Sequence, residues 1–335
     1  MKKIAIYILL IITTCFIIPA IFSVPNKIKE VNYEGKDTNL EDKINIENKD
    51  NSKNYKIKLL HKKTKEVEEI ELEKYLYNVV SAEMPSSFEI EALKAQAIVA
   101  RTYTIFKKNN KKHENADICD SFKCCQAWIS KEERFEKWKE NKEENWSKIC
   151  KAVDETKGKI ITYDNKPINA FFHSNSGGKT EIPINVWGGN NYPYLQIVET
   201  SGEENYNQFL SDVELTYEEF IKLLKEKKND IYVNFDDTED IKIIEFTESG
   251  RVKTIKIGNY NFSGVEIRKI LNLKSTNFEI KKENGKIKFH VKGYGHGVGM
   301  SQTGADSLAK NGKKAEEIIH HFYSNVEIKN ISDIY

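Results

Sequence analysis

A surplus of charge of one sign is missing from this chain. Its 335 residues carry 52 Lys and Arg against 51 Asp and Glu, a formal net charge of +1. Proteins that coat a polyanion usually carry a basic excess, so the composition argues against a nucleic-acid partner. Arginine is scarce too: Arg101, Arg134, Arg251 and Arg268 are the only four. Against so much lysine, each is a candidate for a task that needs a planar, bidentate fork. Three familiar motifs are also absent. H-E-x-x-H fails because Asp117 stands where its second histidine belongs after His113-Glu114, and His320-His321 are adjacent, so they face different directions on a helix. Gly178-Lys179-Thr180 imitates the end of a phosphate-binding loop, but His173 occupies the position of that loop's first glycine. G-x-G-x-x-G fails in every register of the late glycine run, which removes a Rossmann reading and any organic cofactor it would carry. No internal repeat is present. With 39% hydrophobic and 11% aromatic residues, wholesale disorder is excluded, and the length suggests about two domains.

What is present begins with Met1-Lys2-Lys3 and an apolar run from Ile4 to Val24, closed by Pro25. At about 1.5 Å per residue the run reaches roughly 30 Å, the hydrocarbon thickness of a bilayer. The preceding lysines place the N-terminus in the cytoplasm. The run exceeds the usual signal-peptide core, and no clear A-x-A site follows. The expectation is a retained single-pass anchor over 1–24, with a cleaved signal peptide as the alternative. Residues 25–54 are rich in Asn, Lys, Asp and Glu and read as a flexible tether. Residues 55–335 form the folded body, outside the cytoplasm.

In that body, Tyr55–Leu60 alternates like a strand, and Leu72, Leu76, Val79, Val80 and Glu83 recur at helical spacing. Pro85 stops that helix. Ser86-Ser87-Phe88-Glu89 predicts a capping box that opens a second helix, with small apolar residues on most of its circumference. Residues 131–149 are charged, with Phe135, Trp138, Trp146 and Ile149 on one face. Hairpins are predicted for Ile160–Tyr163 with Ile168–Phe172, Ile241–Phe246 with Val252–Ile257, and Phe278–Lys282 with Ile287–Val291. Further helices are predicted near Glu266–Leu271 and Ala315–Phe322. Helices gather in the first half and antiparallel hairpins in the second, which is an α+β class.

Four groups of residues could carry chemistry. Glu83 lies on the apolar stripe of its helix, where lost hydration raises a carboxyl pKa and suits a general acid. Phe171–Thr180 is a polar, Gly-bearing turn able to display His173, Ser174, Ser176 and Lys179. Gly293–Ala305 concentrates five of the 17 glycines in 13 residues and includes His296 and Gln302. His113, Cys119, Cys124 and Cys125 carry the donor types of a closed structural zinc site. Disulfides involving Cys150 are the alternative on spacing alone.

Together these motifs resemble the stage II sporulation protein D family. The resemblance rests on Glu83-Met84-Pro85, Glu91–Ala97, Ala100–Tyr103, His173–Glu181 and Gly295–Ala305, in that order, and covers about residues 55–330. It implies a lytic transglycosylase that cuts peptide-stripped peptidoglycan strands during forespore engulfment, beside stage II sporulation proteins P and M, from the mother-cell membrane. It implies Glu83 as the catalytic carboxylate, a groove containing Arg101, His173, Ser174, Ser176, Lys179, His296 and Gln302, and zinc held by His113, Cys119, Cys124 and Cys125. In lytic cleavage the 6-hydroxyl of muramic acid attacks its own anomeric carbon, so one glutamate suffices and no paired carboxylate is needed to activate water. The alternatives are a cell-wall zinc amidase or peptidase and a non-catalytic glycan-binding module.

Overall fold

Strand β1 (Lys56–Leu60) buries Ile57 and Leu59 and exposes Lys56 and Lys58, the period-two pattern of a half-buried strand. It pairs antiparallel with β2 (Val67–Glu71). The structure, a computed structural model, describes residues 55–335. The expected anchor over 1–24 and tether over 25–54 lie outside the described residues. Among the described residues no helix is long and apolar enough to cross a membrane.

Helix α1 (Leu72–Glu83) follows β2 directly and buries Leu72, Tyr75, Leu76, Val79 and Val80. Met84 turns extended, at φ −121° and ψ 144°, ahead of Pro85. The expected capping box at Ser86 does not form. Helix α2 (Ile90–Asn109) starts later, and the backbone N–H of Glu89 donates to Asp306 Oδ1 at 2.6 Å. A distant carboxylate therefore caps this helix in place of the local hydroxyl. The body of α2 is buried nearly all round, as its composition predicts.

Short strand β3 (Ile118–Cys119) adds to β1 in parallel. Helices α3 (Lys131–Trp138) and α4 (Lys142–Asp154) carry the charged stretch. Its aromatic face packs as a cluster, with Trp146 5.9 Å from Phe135, 6.5 Å from Trp138 and 6.2 Å from Tyr77. Strand β4 (Lys159–Tyr163) turns through Asp164 and Asn165, both at positive φ, into β5, which is only Lys166–Pro167. The expected strand over Ile168–Phe172 is thus cut short. The chain leaves to form β6 (Phe172–His173) in a different sheet, followed by the short helix α5 (Pro183–Trp187).

A second core then builds from β7 (Leu210–Thr216), α6 (Tyr217–Lys225), β8 (Ile241–Phe246), β9 (Val252–Ile257), β10 (Tyr260–Ser263), α7 (Gly264–Ile270), β11 (Asn277–Glu283) and β12 (Lys286–Lys292). Its sheets run β10-β9-β8 and β11-β12-β7, antiparallel throughout. Asn284 and Gly285 both take positive φ, the turn that an Asn-Gly pair favours in a hairpin. Phe220, Ile255, Ile267, Phe289 and Val291 fill its interior. The chain then returns to the first core through β13 (Met300–Ser301), parallel to β6, and through α8 (Gln302–Lys310), α9 (Ala315–Phe322) and β14 (Glu327–Asn330), which pairs with β4. The mixture of helices and antiparallel sheets is the α+β class.

Candidate active site

The last residue of α1 stands at the centre of a groove. A lobe of about 740 Å³ is lined by Glu83, Tyr103, Phe171, His173, Trp187 and Arg268, among others. A second lobe of about 410 Å³ shares Glu83, Ser174 and Gln302 with the first and continues to Arg134 and Trp138. Glu83 is the one acidic residue lining either lobe among the described residues. Its Oε1 accepts the backbone N–H of Ala127 at 2.6 Å, and its Oε2 accepts Gln302 Nε2 at 3.4 Å. Burial pushes its pKa from the ordinary 4.5 up to about 7, against the downward pull of those two donors. At neutral pH the carboxyl is poised to give a proton and to take one back.

The glycine run builds the wall opposite α1. Asn175 and Tyr294 exchange backbone hydrogen bonds of 3.0 and 2.8 Å, which lays the run against the turn after β6. Gly297 has φ of +85°, and a Cβ there would come within 2.5 Å of Arg251 Nη2. At Gly299 a Cβ would meet the Phe171 carbonyl oxygen at 2.0 Å. Glycine is required because backbone and guanidinium lie where a side chain would go.

Two imidazoles line this wall, 5.7 Å apart, and their neighbours fix opposite tautomers. His173 Nδ1 lies 3.1 Å from the Val298 carbonyl, an acceptor, so Nδ1 carries the proton. Its Nε2 is then a bare acceptor, buried and without a partner among the described residues. His296 Nδ1 accepts the Val298 N–H at 3.0 Å, so its proton is on Nε2. Burial and nearby Arg251 push His173 down to about 3, and burial beside His173 holds His296 well below its ordinary range. Both rings are neutral. Trp187, 5.0 Å from His296 and 4.6 Å from Phe171, extends the wall as an exposed aromatic surface.

Of the expected groove residues, His173, Ser174, His296 and Gln302 join Glu83 in the lining. Arg101, Ser176 and Lys179 do not. Arg101 is buried in the first core, where Nη2 and Nε donate to Glu73 at 2.6 and 2.9 Å and Nη1 donates to the Lys159 carbonyl at 3.1 Å. Its fork is used, but on a protein carboxylate. Lys179 pairs at the surface with Glu199, at 3.3 Å. Ser176 is buried in a network around Glu203, whose carboxylate accepts from Ser176 Oγ, the N–H groups of Ser176 and Gly178, and the hydroxyls of Thr200, Ser301 and Thr303. That carboxylate ties the His173 turn to the start of α8 and so holds Gln302 over Glu83. Nothing local in the sequence around Glu203 signals this role.

One end of the larger lobe is formed by Cys124 and Cys125. With His113 and Cys119 they offer four ligand atoms, all within 4.8 Å of one another. The sulfurs of Cys119 and Cys125 are 3.5 Å apart, those of Cys124 and Cys125 3.9 Å, and His113 Nε2 is 3.4 and 3.7 Å from the sulfurs of Cys125 and Cys124. Donors at zinc's bond lengths around a tetrahedron are separated by about 3.5–3.8 Å, so these residues fit such an ion. The alternative of disulfides does not hold: Cys119, Cys124, Cys125 and Cys150 are all free thiols.

A family model described as "Stage II sporulation protein" matches residues 60–163, and one described as a domain of unknown function matches residues 200–299. The chain is 36% identical to Stage II sporulation protein D of Bacillus amyloliquefaciens over 265 residues, covering 78% of this chain and 75% of that one. The Bacillus subtilis protein of the same name is also 36% identical, over 266 residues. The Bacillus subtilis protein named Amidase enhancer is 29% identical, across 74% of this chain and 39% of its own length. With such identity across most of both chains, the protein belongs to the stage II sporulation protein D family.

Proposed function

We propose that the protein is a lytic transglycosylase of peptidoglycan, acting on peptide-stripped strands during forespore engulfment. The observation that carries the reading is a single carboxyl, its pKa raised to about 7, in a two-lobed groove with no second acid among the described residues. Hydrolysis by paired carboxylates needs a partner to activate water or to attack the sugar. Here Glu83 gives its proton to the leaving oxygen as the glycosidic bond breaks. The resulting carboxylate takes the proton of the muramic 6-hydroxyl, which closes on the anomeric carbon as a 1,6-anhydro ring. Gln302 and the Ala127 N–H stabilise that carboxylate between the two steps. The lobes on either side of Glu83 suit a polymer bound across its scissile bond, with Trp187 and Trp138 as surfaces for sugar rings.

Zinc suits the His113, Cys119, Cys124 and Cys125 set, and when bound it would brace the loop that presents Ala127 to Glu83. Four protein ligands leave no position for an activated water, which weighs against a zinc amidase or peptidase. The protein is read as anchored by residues 1–24 in the mother-cell membrane, facing the forespore, and working beside stage II sporulation proteins P and M.

The test is mass spectrometry of strands freed of stem peptides and digested with the full-length chain. The expected products end in anhydromuramic acid, lighter by one water than hydrolytic products. Hydrolytic ends would overturn the lytic step. The relative named Amidase enhancer gives a second reading, a module that binds the wall and assists another enzyme. Under that reading Glu83→Gln would leave all function intact; under the first it abolishes cleavage.

A further inference from the structure

The four arginines divide into two pairs. Arg101 is spent on Glu73, and Arg251 is buried with Nη2 donating to the Ser176 carbonyl at 2.6 Å. The other pair reaches the groove. Arg268, on α7, lines the larger lobe, and Arg134, on α3, lines the smaller. Neither guanidinium has a carboxylate partner or a side-chain hydrogen bond among the described residues. Arg134 lies 5.3 Å from the Trp138 ring centre, and its Nε is buried and unpaired. Both are half-buried, and burial lowers the pKa of each from the usual arginine range. A desolvated guanidinium is costly until an anion meets it.

The remaining cations of the larger lobe are accounted for differently. Lys107, Lys112 and Lys123 lie at its cysteine end, where Lys107 and Lys112 interact with the thiols. Arg268 approaches from the second core, beside Tyr294. With Glu83 largely protonated below its pKa, an unpaired fork flanks the reacting carboxyl in each lobe, in a chain of net charge +1.

We infer that Arg134 and Arg268 are specificity residues that bind carboxylates of an acidic polysaccharide on opposite sides of Glu83, and that those carboxylates are the lactyl groups of peptide-free muramic acid. The inference rests on the glycan reading above. An arginine fork matches a carboxylate with two parallel hydrogen bonds. The lactyl group is an anion only after its stem peptide has been removed; before that it is an uncharged amide. Cleavage after one muramic acid leaves that residue's lactyl group on one side and the next muramic acid's on the other. One fork per lobe fits this repeat.

The test uses the full-length Glu83→Gln chain and measures binding to two probes by calorimetry: peptide-stripped strands, and the same strands with lactyl carboxyls converted to methylamides. The charged strands should bind roughly 10- to 100-fold more tightly, the range of a charge-assisted hydrogen bond. Arg134→Gln and Arg268→Gln should each shrink the ratio, and together they should bring it close to one. Arg→Lys at either position should restore part of it, while circular dichroism reports that each variant is folded. A ratio unchanged in the double variant overturns the inference, even if the unaltered chain cleaves strands lytically. Arginine-dependent discrimination without any cleavage by the unaltered chain would sink the catalytic reading and keep this one. Failure to bind either probe would overturn both.

Discussion

Replacing Glu83 by glutamine should inactivate the protein and stabilise it, and the stabilisation should exist only at high pH. In the unfolded chain the carboxyl titrates near its ordinary 4.5; in the folded groove it titrates at about 7. Between those values the folded state holds the proton and the unfolded state has released it. The native state then binds more protons, so stability falls as pH rises through this window, and the loss is complete above about 7. At about 1.4 kcal/mol per pH unit, displacement from 4.5 to about 7 corresponds to roughly 3 kcal/mol. Glutamine is close to the protonated acid in shape and never ionises. Allowing for imperfect amide hydrogen bonding in its place, the variant should exceed the unaltered chain by about 2–3 kcal/mol at pH 8 and match it at pH 4. Urea unfolding at the two pH values measures this directly. In parallel, cleavage by the unaltered chain should decline above pH about 7, as the acid loses its proton. An equal stability difference at pH 4 and pH 8 would refute the reasoning, because it would mean that the carboxyl is not desolvated in the fold.

Arg101→Leu leaves the Glu73 carboxylate uncompensated and should cost roughly 3 kcal/mol of stability in urea unfolding, without changing the preference between charged and amidated strands. The purified full-length chain should contain about one zinc by elemental analysis; His113→Ala should lose it, lower the melting temperature and raise exchange at the Ala127 amide. The mature protein should retain Met1–Val24 and require detergent for extraction, so an N-terminus found near Val24 by sequencing would show a cleaved signal instead.

Where the sequence was legible, the governing forces were local. The helix over Ala315–Phe322 and the hairpin around Asn284-Gly285 follow from spacing and turn chemistry that need no partner. Glu83 was legible for the same reason: it is the last residue on a helical apolar stripe that ends at Pro85. The misreadings arise where distant residues supply what local ones seemed to offer. Ser86 looks like a cap, but Asp306 caps the helix. Strand β4 looks like half of a hairpin with Ile168–Phe172, but the returning chain pairs with it only as far as Ile168, β14 takes its other edge, and the following residues serve the groove. Arg101 sits among the motif residues, but at 3.6 residues per turn α2 carries it to its inner face and on to Glu73. Scarcity of arginine singles out four residues, but only the fold separates Arg101 and Arg251, which bond to the protein itself, from Arg134 and Arg268, which line the groove.

The groove does not coincide with either matched segment. Residues 60–163 contribute Glu83, Arg134 and the His/Cys cluster; residues 200–299 contribute Arg268 and the first part of the glycine run; Ser174 and Gln302 fall outside both. What joins them is the buried chemistry behind the lining. Arg251, from the second core, occupies the space that Gly297 leaves empty and holds the Ser176 carbonyl. Glu203 gathers donors from the turn after β6 and from the start of α8. A buried carboxylate with this many donors is satisfied without a paired cation, and removing any one segment would leave it desolvated and short of partners. The second core therefore does more than carry Arg268. It supplies Arg251 as one charged anchor behind the wall facing Glu83, while Glu203, ahead of β7, supplies the other, so the geometry around the acid depends on residues more than a hundred positions away.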